Sequence, residues 1–183
     1  INLSIDQTIT PGDSAERIVT SSCGACNGDG LDELTEGLPS FNGTHGRFSH
    51  EFIHEQLIQM KTNQTGFNET GGMHAAALWS PSSNTQYLSE DIGRHNAVDK
   101  AIGKALLDGE SFDSQFLLLS GRCGWDIVAK AARAGIGTIV SIGACSTLAA
   151  DTARLLGMRI FSFMKSQSNV GIGLHSHIEN NNP

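Results

Sequence analysis

Cys23 and Cys26, in the run Ser22-Cys23-Gly24-Ala25-Cys26, are the groups of this sequence best suited to covalent chemistry. The thiolate is the nucleophilic form of cysteine. A C-x-x-C loop lowers the pKa of one thiol, because the neighbouring S–H and backbone N–H groups support the anion. Gly24 and Ala25 keep the loop small enough for a partner's sulfur to approach. The spacing suits redox, metal or sulfur-transfer chemistry better than a disulfide framework. A thioredoxin-type pair would open a helix after a strand, whereas a Gly- and Asp-rich stretch follows here. A structural zinc would need two more ligands at ribbon spacing, and there is no second C-x-x-C.

A second pattern, His50-Glu51-Phe52-Ile53-His54, matches H-E-x-x-H, in which two histidines bind zinc and the glutamate activates water. Lys61 falls on the same helical stripe, where a cation opposes a metal, and no Gly-x-x-His extension follows. The expectation for His50 and His54 is a solvated helix edge.

Two further clusters sit at junctions. In Glu90-Asp91-Ile92-Gly93-Arg94-His95-Asn96, Gly93 allows a sharp turn, and the helix start behind it offers N–H groups to an anion. Arg94 and His95 are the candidate ligand contacts there; the plainer alternative is a capped helix with Asp91 and Asp99 serving local amides. Ser120-Gly121-Arg122 ends a strand, where ligands of open α/β sheets collect, and Arg122 can present a planar fork to phosphate. Cys123 and Cys145 lie beside these junctions and are expected to be buried, unreactive thiols. Lys130 and Arg133 are expected to be solvated helix charges.

These groups must be held by an alternating scaffold. Ser49 caps a helix running to about Asn63 with Ile53, Leu57 and Met60 on one face. Met73–Trp79 and Thr85–Glu90 flank the turn Pro81-Ser82-Ser83-Asn84 as a hairpin. Asn96–Leu107 is helical, with Val98, Ile102 and Leu106 four residues apart. Strands at Phe116–Leu119, Thr138–Ile142 and Met158–Phe163 alternate with helices at about Trp125–Ala134 and Ser146–Leu156. That alternation predicts βαβ units and a three-layer α/β/α domain with a mixed sheet. The division expected is a remnant of a truncated N-terminal segment (1–19), a flexible cysteine-bearing loop (20–47), the α/β domain (48–175) and a polar tail (176–183).

The 183 residues, 39% hydrophobic and 17% charged, describe an ordinary globular chain. A formal charge of −7 gives no footprint for nucleic acid or an anionic membrane, so an anionic ligand must be met by a local cluster. No apolar run approaches the roughly 18 residues of a membrane span, and a cytoplasmic location is expected.

Taken together, Ser-Ser-Cys-Gly-Ala-Cys at 21–26, Thr-Gly-Gly-Met-His-Ala-Ala-Ala-Leu at 70–78 and Ser-Gly-Arg at 120–122 resemble the FdhD-type formate dehydrogenase accessory sulfurtransferases. So do Glu-Asp-Ile-Gly-Arg-His-Asn-Ala-Val-Asp-Lys-Ala-Ile-Gly at 90–103 and Ala-Lys-Ala-Ala-Arg-Ala-Gly-Ile at 129–136. The resemblance implies a cytidine-deaminase-like fold and a cytoplasmic carrier that takes persulfide sulfur from a cysteine desulfurase. It implies delivery to the molybdenum (or tungsten) bis-guanine-dinucleotide cofactor of formate dehydrogenase, Mo-bis(molybdopterin guanine dinucleotide) in the molybdenum case, with no permanently bound metal. Cys23 then matches the persulfide-bearing cysteine and Cys26 its partner. The cofactor-contacting stretch matches Phe163, Met164, Lys165, Ser166, Gln167 and Ser168, joined by Arg94, His95 and Arg122. The chain departs from the family at Gln167 and Ser168, where a Gly-Arg pair is usual. A homodimer is expected, since a cysteine loop could then serve a neighbour's pocket. A zinc deaminase would need His-x-Glu and Pro-Cys-x-x-Cys, where this chain has His95-Asn96-Ala97 and Gly121-Arg122-Cys123-Gly124-Trp125. A zinc-dependent hydrolase using His50, Glu51 and His54, or a non-catalytic cofactor-binding chaperone, stands as the alternative.

Overall fold

The computed structural model describes residues 30–112 and 114–173. The segments expected to be an N-terminal remnant and a polar tail lie outside them. Along the chain run helices α1 (Leu31–Thr35), α2 (His50–Thr62) and α3 (Thr65–Thr70), then strands β1 (His74–Ser80) and β2 (Thr85–Asp91). Next come α4 (Arg94–Leu107), β3 (Phe116–Leu119), α5 (Trp125–Ala134), β4 (Thr138–Ser141), α6 (Thr147–Leu155), β5 (Arg159–Ser162) and β6 (Val170–Ile172).

The six strands form one mixed sheet in the order β2-β1-β3-β4-β5-β6. β1 is antiparallel to both β2 and β3, while β3, β4 and β5 are mutually parallel and β6 runs back along β5. This is the three-layer α/β arrangement expected from the sequence. The inner strands β1, β3, β4 and β5 are buried almost throughout because both faces are covered. Alternate residues go to opposite sides. Ala76, Leu78, Leu117, Leu119, Ile139 and Ile160 join the core formed with α4, α5 and α6. Ala75, Ala77, Trp79, Phe116, Leu118, Val140 and Phe161 join the core formed with Ile53, Leu57 and Met60 of α2. Phe48 and Phe52 close this second core edge-on against Trp79, at centroid distances of 5.2 and 5.0 Å.

Local signals fixed several boundaries. The Ser49 hydroxyl accepts from the Phe52 amide at 3.1 Å and starts α2. Ser146 does the same for α6 through Ala149 at 3.2 Å. Gly135, at φ 80, closes α5 in the left-handed conformation that costs glycine nothing.

Three elements differ from the sequence expectation. Met158–Phe163 is not the last strand, because β6 pairs antiparallel with β5. β6 has three residues, one of them glycine, too few for a periodic pattern. The segment 20–47, expected to be loop, holds α1 in its described part, and Phe41 N–H then binds the Leu156 carbonyl at 2.7 Å. The third is α3, whose first-turn amides at Gly66 and Phe67 are both capped at 2.8 Å by the distant Glu90 carboxylate. Among the described residues, no helix is long and apolar enough to cross a membrane.

Candidate functional site

Because β3, β4 and β5 are parallel, their carboxyl ends share one edge. The antiparallel β1 brings its first residue, His74, to that edge, paired with Asp91 at the end of β2. The loops leaving these ends are stitched through their backbones. Ser120 N–H donates to the Ala75 carbonyl at 3.0 Å and Gly143 N–H to the Gly121 carbonyl at 3.2 Å. Cys123 N–H donates to the Ala144 carbonyl at 2.9 Å, and Phe163 N–H to the Gly143 carbonyl at 3.2 Å. Gly143 is required by this closeness: a Cβ there would stand 2.8 Å from the Gly121 carbonyl oxygen.

On the α4–α6 side of this edge lies a cavity of about 300 Å³, lined by Arg94, Arg122, Cys123, Gly124, Cys145 and Ser146 among others. Gly124 and Ser146 are the N-caps of α5 and α6, so both helix starts add partial positive charge to the two guanidinium groups. In an acidic chain this is the local cationic cluster that an anionic ligand needs.

His95, expected beside Arg94, turns instead to the first turn of α5, where its Nε2 pairs with the Asp126 carboxylate. Burial pushes the imidazole pKa below its ordinary value, and Asp126 opposes that shift. Lys130 Nζ meets both Asp99 oxygens at 2.8 Å, a second clamp between α4 and α5. Asp91 accepts from Lys100, from Gly93 N–H at 2.9 Å and from Asn96 at 3.1 Å. The Lys100 hydrogen bond, then the Gly93 amide, hold its carboxyl at about 2. The capping role expected of Asp91 is thus seen, while Arg94, at the same junction, lines the cavity.

The expectation of two buried thiols holds for Cys123 and fails for Cys145, which is half-buried on the cavity. The Phe163–Ser168 stretch leaves β5 beside Gly143, but does not line the arginine cavity. Met164 is buried in the core on the α2 side, leaving Phe163, Lys165, Ser166, Gln167 and Ser168 exposed. Phe163 holds φ at 51 while 48% exposed, strain of a kind that concentrates at functional sites.

His50 is not on a solvated edge: it is 4% exposed. Its Nε2–H donates to the Lys165 carbonyl at 2.7 Å, and its Nδ1 accepts from Asn169 Nδ2 at 3.3 Å. Both ring nitrogens are thus engaged by the turn between β5 and β6, which leaves no lone pair for zinc. Among the described residues, no three His, Cys, Asp or Glu side chains are grouped to hold a metal ion. Nothing local to His50 marks this role, since the partner is a backbone carbonyl 115 residues along the chain.

A second cavity of about 490 Å³ lies at the same edge, with Lys61, Gln64, Met73, His74 and Ser120 in its wall. Ser120 lines this cavity and Arg122 the other, so the two flank the end of β3. The Thr70–Leu78 motif enters this second cavity through Gly71, Gly72, Met73 and His74. Sequence reading had not assigned Lys61 or His74 to a site. Cys23 and Cys26 lie outside the described residues.

A model of the FdhD/NarQ family matches residues 3–176. Among curated proteins, the chain is 39% identical over 165 residues to the sulfur carrier protein FdhD of Sulfurisphaera tokodaii, covering 90% of this chain and 62% of that one. It is 37% identical over 167 residues to the protein of the same name from Thermoplasma volcanium, covering 91% and 59%. A crystal structure from Desulfotalea psychrophila, of a protein assigned as a formate dehydrogenase accessory protein, matches with a TM-score of 0.67 at 26% identity. That match covers 78% of this chain and 60% of the other. The chain therefore spans about three-fifths of the length of these relatives.

Proposed function

The chain belongs to the FdhD/NarQ family, and from that premise we propose that it is a sulfur carrier serving formate dehydrogenase. The observation that carries this reading is the arginine-lined cavity at the carboxyl ends of the parallel strands, in a chain that also supplies a C-x-x-C pair. It accepts sulfur from a cysteine desulfurase and delivers it to the molybdenum or tungsten bis-guanine-dinucleotide cofactor, the substrate of the transfer.

In this reading the Cys23 thiolate attacks the terminal sulfur of the desulfurase persulfide. A new S–S bond forms on Cys23, and the donor thiolate departs with the electron pair of the broken one. Cys26 lowers the pKa of Cys23 and shields the product. Arg94 and Arg122 hold a phosphate group of the client cofactor, each able to offer a planar fork of donors. His95 does not touch the ligand: its pairing with Asp126 fixes the start of α4 against α5 and so orients Arg94. The exposed groups Phe163, Lys165, Ser166, Gln167 and Ser168 meet the guanine end. The protein works in the cytoplasm, as a homodimer, between the desulfurase and formate dehydrogenase.

The experiment is to follow labelled sulfur from cysteine, through a desulfurase and this protein, into the cofactor of formate dehydrogenase. Label should reach the enzyme together with activity, and Cys23→Ala should stop both. Equal transfer in the absence of this protein would refute the reading.

A further inference from the structure

Cys145 lies on the cavity of Arg94 and Arg122, yet the relay through Cys23 gives it no work. It faces Cys123 across an isolated parallel bridge. Residues paired in this way project their side chains to the same side, so the two thiols are neighbours. They are not equivalent, for Cys123 is buried and Cys145 half-buried. A second feature points at the same sulfur. The Ser162 hydroxyl, on a residue only 1% exposed, has no hydrogen-bond partner among the described residues, and it lies near enough to Cys145 to act on its thiol. The neighbouring Cys123 thiol, then the Ser162 hydroxyl, with the Arg154 charge behind, lower the Cys145 pKa against the opposing effect of burial. Cys123 is pushed the other way, by the neighbouring Cys145 thiol and by burial. Cys145 Sγ–H donates to the Ser146 carbonyl at 3.4 Å, and of the two thiols Cys145 is the accessible one, in an electropositive setting that favours reactivity.

We propose that Cys145 is a second sulfur-accepting thiol of this chain, taking a sulfane sulfur into the arginine-lined cavity, with Cys123 and Ser162 as its positioning residues. The inference rests on the sulfur-carrier reading and adds a receiving station beside the client's phosphate site. The Cys145 thiolate attacks the terminal sulfur of a persulfide R–S–SH. The new bond joins that sulfur to Cys145 Sγ, the R–S bond to it breaks, and R–S⁻ leaves with the electron pair. Cys145–S–SH and R–S⁻ result, the terminal hydrogen stays on the transferred sulfur, and nothing is oxidised or reduced overall. The guanidinium groups of Arg94 and Arg122 and the starts of α5 and α6 favour an anionic terminal sulfur there.

The test treats the full chain, and a Cys23→Ala/Cys26→Ala variant, with inorganic polysulfide. An alkylating agent then traps the products, and each cysteine peptide is weighed. A gain of about 32 Da on the Cys145 peptide, and none on Cys123, is expected in both proteins. A parallel alkylation series against pH should show Cys145 reacting at pH 7 about tenfold or more faster than Cys123. Ser162→Ala and Cys123→Ala should each move the Cys145 profile to higher pH, a shift that a merely structural role would not produce. With desulfurase and cysteine as donor, loss of Cys145 labelling in Cys23→Ala would identify Cys23 as the source, and retained labelling the desulfurase itself. An unlabelled Cys145 in protein whose Cys23 gains sulfur would overturn this inference and leave the sulfur-carrier reading standing. A labelled Cys145 beside an inert Cys23 would do the reverse to the relay through Cys23.

Discussion

The imidazole of His50 donates from Nε2 to the backbone carbonyl of Lys165 at 2.7 Å, joining the first residue of α2 to the turn that leaves β5. That turn carries the exposed groups Lys165 to Ser168. The histidine of an apparent zinc motif thus serves as a brace for a candidate binding segment.

Replacing His50 by alanine removes the brace and leaves a half-buried carbonyl without its donor. The expected cost is about 1–3 kcal/mol, measured as a lower urea midpoint at unchanged denaturant slope. If the proposed cofactor contact at this turn is right, weaker binding of guanosine diphosphate, used as a probe, should accompany it. Metal content should not change, because neither ring nitrogen is available to a metal.

Arg94→Ala and Arg122→Ala should each weaken binding of guanosine diphosphate, used as a probe of the phosphate site, by roughly tenfold or more, since a hydrogen bond to a charged group contributes about 1.5–3 kcal/mol. Titration calorimetry at two salt concentrations checks this, with the wild-type affinity falling more steeply with salt. Arg122→Lys should recover part of the loss only, because it keeps the charge and loses the fork.

Burial holds the folded-state pKa of His95 below its ordinary 6.5. The unfolded chain therefore binds a proton near pH 6.5 that the folded chain binds only at lower pH. Stability from this group is full above pH 6.5 and declines as pH falls below it. Urea midpoints from pH 8 to pH 5 should drop less in His95→Gln than in wild type. Parallel curves would contradict the assignment.

Gly143→Ala would drive a Cβ to within 2.8 Å of the Gly121 carbonyl oxygen and 3.1 Å of the Arg122 amide nitrogen. Both obstacles are backbone, so the strand-end loops must separate. A loss of about 1–3 kcal/mol is expected from such overpacking, together with weaker guanosine diphosphate binding through displacement of Arg122. Gly103→Ala, on α4 with open space at its Cβ position, is the control and should be neutral or mildly stabilising.

The inner strands were legible because they are buried on both faces, and helices α2 and α6 because they carry local caps at Ser49 and Ser146. Arg94 and Arg122 could be picked out because each stands at a strand-to-helix junction where ligands collect. What escaped notice was set by distant partners. The Glu90 cap on α3 spans 23 and 24 residues, and the His50 brace spans 115. The contrast between Cys123 and Cys145 arises only when two loops meet, so neither local sequence distinguishes the pair.

The central claim is that this chain carries sulfur on Cys23. Incubation with a cysteine desulfurase and cysteine, followed by intact and peptide mass measurement, tests it most directly. A gain of about 32 Da is expected on the Cys23 peptide of the wild type, reversed by a dithiol and missing from Cys23→Ala. A Cys23 peptide of unchanged mass in wild-type protein, under conditions where the desulfurase itself is loaded, would contradict it.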